Sequence, residues 1–214
     1  LFNGITTWEV DVTIPDFMFK TAFTNETSMA TFIDAIFTAM DNMMTLALEN
    51  NANLTRASFI ARKIKGGKPC EAINVLHEYN TLTNANLTVE GALMNAEFLA
   101  WASRSINLWV KRMSKMSVLF NEEGYKRHTP KDKLVVNLLQ DFTSACDTFL
   151  GANTFHDELV KLPMYDSVAY WQGAGESFDF DDTSAINIKL DETNTISKKG
   201  IIGVIYDYEA MGVT

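Results

Sequence analysis

Four carboxylate side chains lie close together in the last fifth of the sequence: Glu176, Asp179, Asp181 and Asp182. Clustered carboxylates can bind Ca²⁺ through their oxygens or act as a general acid and base. An EF-hand loop, however, needs a glycine at its sixth position and a glutamate at its twelfth, and this stretch has neither. We interpret the cluster as a solvated acidic loop and keep a metal-dependent hydrolase as an alternative.

Other residues that could act in catalysis or ligand binding occur without the partner residues that such chemistry requires. Gly173 and Gly175 lack the third glycine of a dinucleotide-binding fingerprint. Ser144 is not in the GxSxG elbow of a hydrolase, and the isolated Cys70 and Cys146 exclude structural zinc. The histidines fit no metal-ligand spacing: His77, His128 and His156. The sequence therefore predicts no catalytic, metal-binding or cofactor-binding residues, and no cofactor.

Composition narrows the class of protein further. The 214 residues are 47% hydrophobic and 21% charged, which is typical of a globular chain and excludes a disordered one. No apolar run approaches the ~20 residues that a membrane-spanning helix needs, so we expect no membrane partner. The net charge of -9 argues against a surface built to neutralise phosphates.

The elements that must position these residues begin with a strong helical pattern near the N-terminus. Apolar residues recur there at three- and four-residue spacing: Met29, Phe32, Ile33, Ile36, Phe37, Met40, Met43, Met44, Ala47 and Leu48. The pattern predicts a helix over residues 27–49, about 33 Å long. We interpret its apolar stripe as core, keep a binding groove formed by its methionines as an alternative, and expect the helix to be only partly covered. Residues 50–53 are predicted to interrupt it, before a second helix over 54–65 that ends at Gly66-Gly67.

Helical and strand patterns alternate irregularly after Pro69. A long helical region is predicted at 89–116, and a buried strand at 133–139 leads into a helix at 141–149. Further strand-like runs lie at 5–14, 167–171, 185–190 and 201–206. Because no regular βαβ repeat occurs, the pattern indicates an α+β fold.

Three segments resemble parts of one known family. Residues 14–23 lead through Lys20-Thr21-Ala22-Phe23 into the helix at 29–37, residues 134–139 are followed by a helix, and residues 199–214 read as a final strand. These segments resemble the lead-in to the spine helix, a buried strand and helix, and a late strand of tailed-bacteriophage major capsid proteins. The resemblance is to the Hong Kong ninety-seven type, in its small-podovirus branch.

That resemblance implies a Hong Kong ninety-seven-like capsid fold in two domains. Residues 1–68 would form a peripheral domain around the long spine helix, and residues 69–214 a mixed helix and sheet axial domain. The family also has an N-terminal arm, an extended E-loop and a C-terminal return to the peripheral domain. Since little of these is recognisable here, we expect a fragment that lacks most of them.

The resemblance also implies a structural protein, not an enzyme. Its expected role is the major head protein of a phage or prophage, which self-assembles into an icosahedral shell that encloses DNA without sequence-specific binding. The implied partners are copies of itself in pentamers and hexamers, with scaffolding and portal proteins. The implied location is the virion, and the host cytoplasm before assembly. An encapsulin-type compartment shell, which shares the fold, is kept as a second alternative.

Overall fold

The computed structural model describes residues 13–22, 25–67, 71–119, 124–153, 163–172, 183–190 and 193–211. The chain divides into two compact units, Leu1–Ala52 and Asn53–Thr214. Six α-helices and five β-strands lie in the described ranges, which confirms the mixed α+β class. The strand predicted at 5–14 lies outside these ranges, apart from its last two residues.

Most described residues of the first unit are helical. Helix α1, Asp16–Ala22, follows Pro15 directly, and Asp16 in its first turn complements the helix dipole. Helix α2, Glu26–Gly66, has 41 residues and a length of about 60 Å. Its first turn is capped by Asn25, whose Oδ1 accepts a hydrogen bond of 2.7 Å from the Ser28 N–H.

The interruption predicted at residues 50–53 is wrong, because α2 continues through them. Asparagine in a helix interior costs only a fraction of a kcal/mol relative to alanine, and no glycine or proline is present to end the helix. The predicted end at Gly66-Gly67 is confirmed: Gly67 has a φ of 63°, the left-handed conformation that follows a helix C-terminus.

The expectation that α2 is only partly covered is confirmed, but the interpretation of its apolar stripe as core is wrong over most of the helix. The buried side chains of α2 all lie near its C-terminal end: Asn53, Ala57, Ile60 and Ala61. Towards its N-terminal end, Ile33, Phe37 and Met44 are exposed. Helical periodicity identifies which residues share a face, but it does not show that another element covers that face.

In its described residues, the second unit has three further helices before the first strand. Helices α3, Val75–Thr83, α4, Val89–Ala92, and α5, Ala96–Met113, each begin after a capping side chain. The single helical region predicted at 89–116 is two helices, because Asn95 caps α5 by accepting from the Phe98 N–H at 2.9 Å.

Among the described residues, strand β1, Leu134–Leu139, is the central strand of a three-stranded sheet. It pairs in parallel with β2, Asp166–Val168, and antiparallel with a C-terminal strand, Gly203–Asp207. Helix α6, Gln140–Asn153, follows it directly, so the predicted buried strand and following helix are confirmed. Between these segments, β3, Ile186–Lys189, and β4, Thr195–Lys198, form a separate antiparallel pair. In chain order, the C-terminal strand Gly203–Asp207 is β5.

The core of the second unit forms where α5 and α6 pack with the sheet. Its largest fully buried side chains include Leu99, Leu138, Phe142 and Trp171, and the Trp171 Nε1–H donates to the Ile201 carbonyl at 2.7 Å. Ala57, Ile60 and Ala61 belong to the same core, so the compact unit begins at Asn53. The capsid domains at 1–68 and 69–214 stay a prediction.

Candidate interaction surfaces

The residues with the strongest chemical signal in the sequence lie outside the described ranges: Glu176, Asp179, Asp181 and Asp182, with Gly173 and Gly175. His156 and Cys70 lie outside them as well. Within the described part of the chain, no group of three histidine, cysteine or carboxylate side chains is placed to hold a metal ion.

The remaining candidate residues are described and are held in structural settings. His77 and His128 are exposed, and the His77 backbone N–H donates to the Asn74 side chain that caps α3. Cys146 is buried, with its Sγ 3.6 Å from the Ser103 Oγ. Burial raises the pKa of this thiol, and the contact with Ser103 offsets only part of that shift. Cys146 is therefore a protonated core side chain, which is a poor nucleophile.

One exposed face of α2 combines carboxylates with large apolar side chains. We call it the acidic stripe: Asp34, Phe37, Asp41, Met44 and Leu48. Their alternating three- and four-residue spacing places them within about 80° of the helix circumference. Phe37 is 61% exposed, although aromatic side chains are usually buried. This face of α2 therefore exposes large apolar side chains of the kind that a helix usually buries.

The charge on this part of α2 has a single sign. From Glu26 to Thr55 the charged residues are all acidic: Glu26, Asp34, Asp41 and Glu49. The carboxylates of Asp34 and Asp41 have no salt-bridge partner within 4.0 Å among the described residues. The sequence analysis identified the apolar members of the stripe and interpreted them as core, with a binding groove as the alternative, but it did not consider the carboxylates between them.

A second exposed surface lies between α3 and α5. We call it the tryptophan groove: Leu82, Trp101, Arg104, Leu108, Trp109 and Arg112. Its cavity has a volume of about 270 Å³. Trp101 is held in place by Tyr79, whose ring makes an edge contact with a centroid distance of 5.7 Å. Arg104 and Arg112 are exposed, and neither has a salt-bridge partner within 4.0 Å in the described part of the chain.

The groove belongs to a basic region of an acidic chain. Residues 104–133 contain eight lysines and arginines but three carboxylates. The basic loop before β1 is joined to the end of α5, because the Thr129 N–H donates to the Met113 carbonyl at 3.1 Å. Arg127 and Ser117 exchange two backbone hydrogen bonds of 3.0 Å. The sequence showed the loop to be basic, but the pairing that places it beside α5 is a tertiary contact.

None of the helices in the described ranges has the length and apolar character that crossing a membrane requires.

Comparison with models of known protein families identifies a match. The family model described as Phi29-like phage major capsid protein matches residues 1–214. Searches of the curated proteins and of the solved structures find no match. No finding favours a compartment shell or a hydrolase.

Proposed function

We propose, since the chain belongs to the Phi29-like phage major capsid protein family, that its subunits build the head through a Hong Kong ninety-seven-like fold. In this proposal α2 is the spine helix of a peripheral domain at residues 1–68. The mixed helix and sheet region at 69–214 is the axial domain. The role itself is that of a structural subunit of a phage capsid, located in the virion.

The observation that carries the proposal is the contrast between the two parts of α2. Over residues 26–52 the helix exposes Phe37, Met44 and other large apolar side chains, whereas from Asn53 onward it contributes to a core. A monomeric protein rarely exposes an extended apolar face, so such a face marks an interaction site. A shell subunit has this requirement, because much of its surface is covered by neighbouring subunits.

The proposed partners follow from the same role. Copies of the chain associate into pentamers and hexamers, and scaffolding and portal proteins direct their closure into a head. The interior encloses DNA without sequence-specific contacts, and the net charge of -9 disfavours tight binding to phosphates. Before assembly the subunit resides in the host cytoplasm.

Production of the full-length protein with its phage's scaffolding protein tests this function. We expect closed icosahedral particles in electron micrographs, with α2 visible as one long rod in each subunit of a reconstruction. Particles that consistently contain a cargo enzyme and no portal would instead support a compartment shell. Subunits that stay monomeric with the scaffolding protein present would contradict the proposal.

A further inference from the structure

We propose that the acidic stripe of α2 in one copy of the chain binds in the tryptophan groove of a neighbouring copy. The inference rests on the proposed shell function and names one contact by which the shell is built. Both surfaces are exposed in the isolated chain, and both combine apolar side chains with charges that lack a salt-bridge partner among the described residues.

The spacing of charges on the two helices matches. Asp34 and Asp41 are seven residues apart on α2, which corresponds to about 10 Å along the axis. Arg104 and Arg112 are eight residues apart on α5, or about 12 Å. Each pair therefore spans about two helical turns. Two helices in contact can align both carboxylates with both guanidinium groups, a pairing that favours bidentate hydrogen bonds.

The apolar side chains between the charges also match. Phe37 lies between the two aspartates of the stripe, and Leu108 lies between the two arginines of the groove. Phe37 and Leu108 are 61% and 42% exposed, so contact between the helices would remove apolar surface of both side chains from water. Tryptophan and arginine are the side chains most enriched at the energetic centres of protein interfaces.

The size and chemistry of the groove favour a protein side chain over a small-molecule ligand. Its volume of about 270 Å³ is below the range of about 300–1,000 Å³ typical of ligand pockets. Its polar rim carries Arg104 and Arg112 on α5 with Glu78 opposite on α3, so the net charge at the rim attracts an acidic partner.

A second copy of the chain is the partner that supplies the acidic face. Every subunit of a capsid is surrounded by identical subunits, so each stripe meets neighbouring grooves at high local concentration. A contact between two different surfaces of the same chain is heterologous, and it generates closed rings when the rotation between copies closes. Such a contact suits the pentamers and hexamers of the proposed shell.

Charge reversal tests the pairing in the full-length protein with its scaffolding protein. Arg104→Glu with Arg112→Glu places four carboxylates in the contact, and we expect a loss of assembled particles of about tenfold or more. Asp34→Arg with Asp41→Arg is expected to cause a similar loss. Combining all four substitutions restores opposite charges across the contact, and we expect particle yield to return to within about threefold of the original.

Lys126→Glu with Lys131→Glu is the matched control. Both lysines are exposed and lie outside the groove, and this pair changes the net charge of -9 by the same amount as the arginine pair. We expect its particle yield to stay within about threefold of the original. An equal loss in the control, or no recovery in the fourfold variant while the unsubstituted protein assembles, overturns the inference but leaves the shell function standing.

Disulfide trapping tests whether the contact is made between copies. Phe37→Cys and Leu108→Cys are introduced into separate preparations in which Cys70 and Cys146 are replaced by alanine, and the two are mixed, assembled and oxidised. We expect a linked dimer that contains one chain of each kind. Met164→Cys replaces Leu108→Cys in the control, because this side chain is 98% exposed and lies outside the groove. Assembled particles without the linked dimer, or with as much of it in the control, contradict the inference.

Discussion

Asn137 is a buried polar side chain in the central strand of the sheet, and its amide requires a partner there. The Nδ2–H donates to the Tyr206 Oη at 3.0 Å, and Asn137 is only 2% exposed. The tyrosine ring also contacts Phe59, with 5.9 Å between centroids. The bond thus joins β1 to β5 at a point where α2 packs on the sheet.

Tyr206→Phe keeps the ring contact and removes the hydroxyl. Since the Asn137 amide then loses its acceptor in a buried site, we expect the free energy of unfolding to fall by about 1–3 kcal/mol. Tyr208→Phe is the control, because Tyr208 is exposed, and it is expected to leave stability unchanged within about 0.5 kcal/mol. Urea denaturation followed by tryptophan fluorescence measures both. Equal stability of the two variants would contradict the assigned bond.

Gly203 faces Leu138 across the β1–β5 ladder, where there is no room for a side chain. A Cβ at this position would lie 2.6 Å from the Leu138 Cδ2 and 3.1 Å from the Asn137 carbonyl oxygen. Gly203→Ala is therefore expected to destabilise the fold by about 1–3 kcal/mol through overpacking. Gly91→Ala is the control, because its nearest contact is 3.4 Å. Thermal unfolding should show a lower midpoint for the first variant alone.

At the scale of elements, α2 serves two purposes along one continuous helix. Its last turns bury Ala57, Ile60 and Ala61, while its first turns expose the acidic stripe. The same apolar spacing runs through both parts, so the spacing does not distinguish them. What distinguishes them is whether other elements of the chain reach the helix.

One substitution at two positions of α2 measures this difference. Ile60→Asp places a charge in the core, and we expect it to cost several kcal/mol because the carboxylate has no buried partner. Ile33→Asp places the same charge on an exposed face and is expected to change stability by less than about 1 kcal/mol. Denaturant unfolding of the unassembled protein compares the two. If Ile33→Asp destabilised the fold as much as Ile60→Asp, the exposed face would be part of a core.

At the scale of the whole molecule, charge is segregated although the total is acidic. The chain carries a net charge of -9, yet residues 104–133 have an excess of basic side chains. Copies repel one another at long range, whereas opposite charges attract at the proposed contact. Salt weakens the long-range repulsion more than the attraction at the contact. The range of the repulsion is set by the Debye length, which is about 30 Å at 0.01 M and about 10 Å at 0.1 M.

At about 0.01 M salt, repulsion between copies acts at long range. We therefore expect the 214-residue chain to be monomeric or weakly oligomeric in dilute solution under this condition. Raising the salt to about 0.1 M should increase the weight-average mass measured by light scattering. Asp132→Asn with Asp147→Asn removes two exposed carboxylates outside the stripe and should reduce this salt dependence. A mass that falls steadily as salt is added would show that attraction between charges dominates association.

Much of the fold could be predicted from local patterns. The helical character of residues 27–49 and 54–65, the buried strand at 134–139 and the helix after it are set by side-chain periodicity, which a short window of sequence contains. Strand β4, Thr195–Lys198, was not predicted because most of its side chains are exposed and its apolar pattern is weak. The division between α4 and α5 depends on one side chain, Asn95. It caps the start of α5 and so competes with continuation of the preceding helix.

The sequence by itself determined the family, the α+β class and which residues share each helix face, because these depend on residue order and on contacts a few positions apart. Only the tertiary structure decided which faces are covered. It exposed the stripe around Phe37, formed the groove from α3 and α5, and joined the basic loop to the end of α5. Burial depends on elements that are distant in sequence, so the apolar spacing of Phe37 and of Ile60 looks alike until the chain is folded.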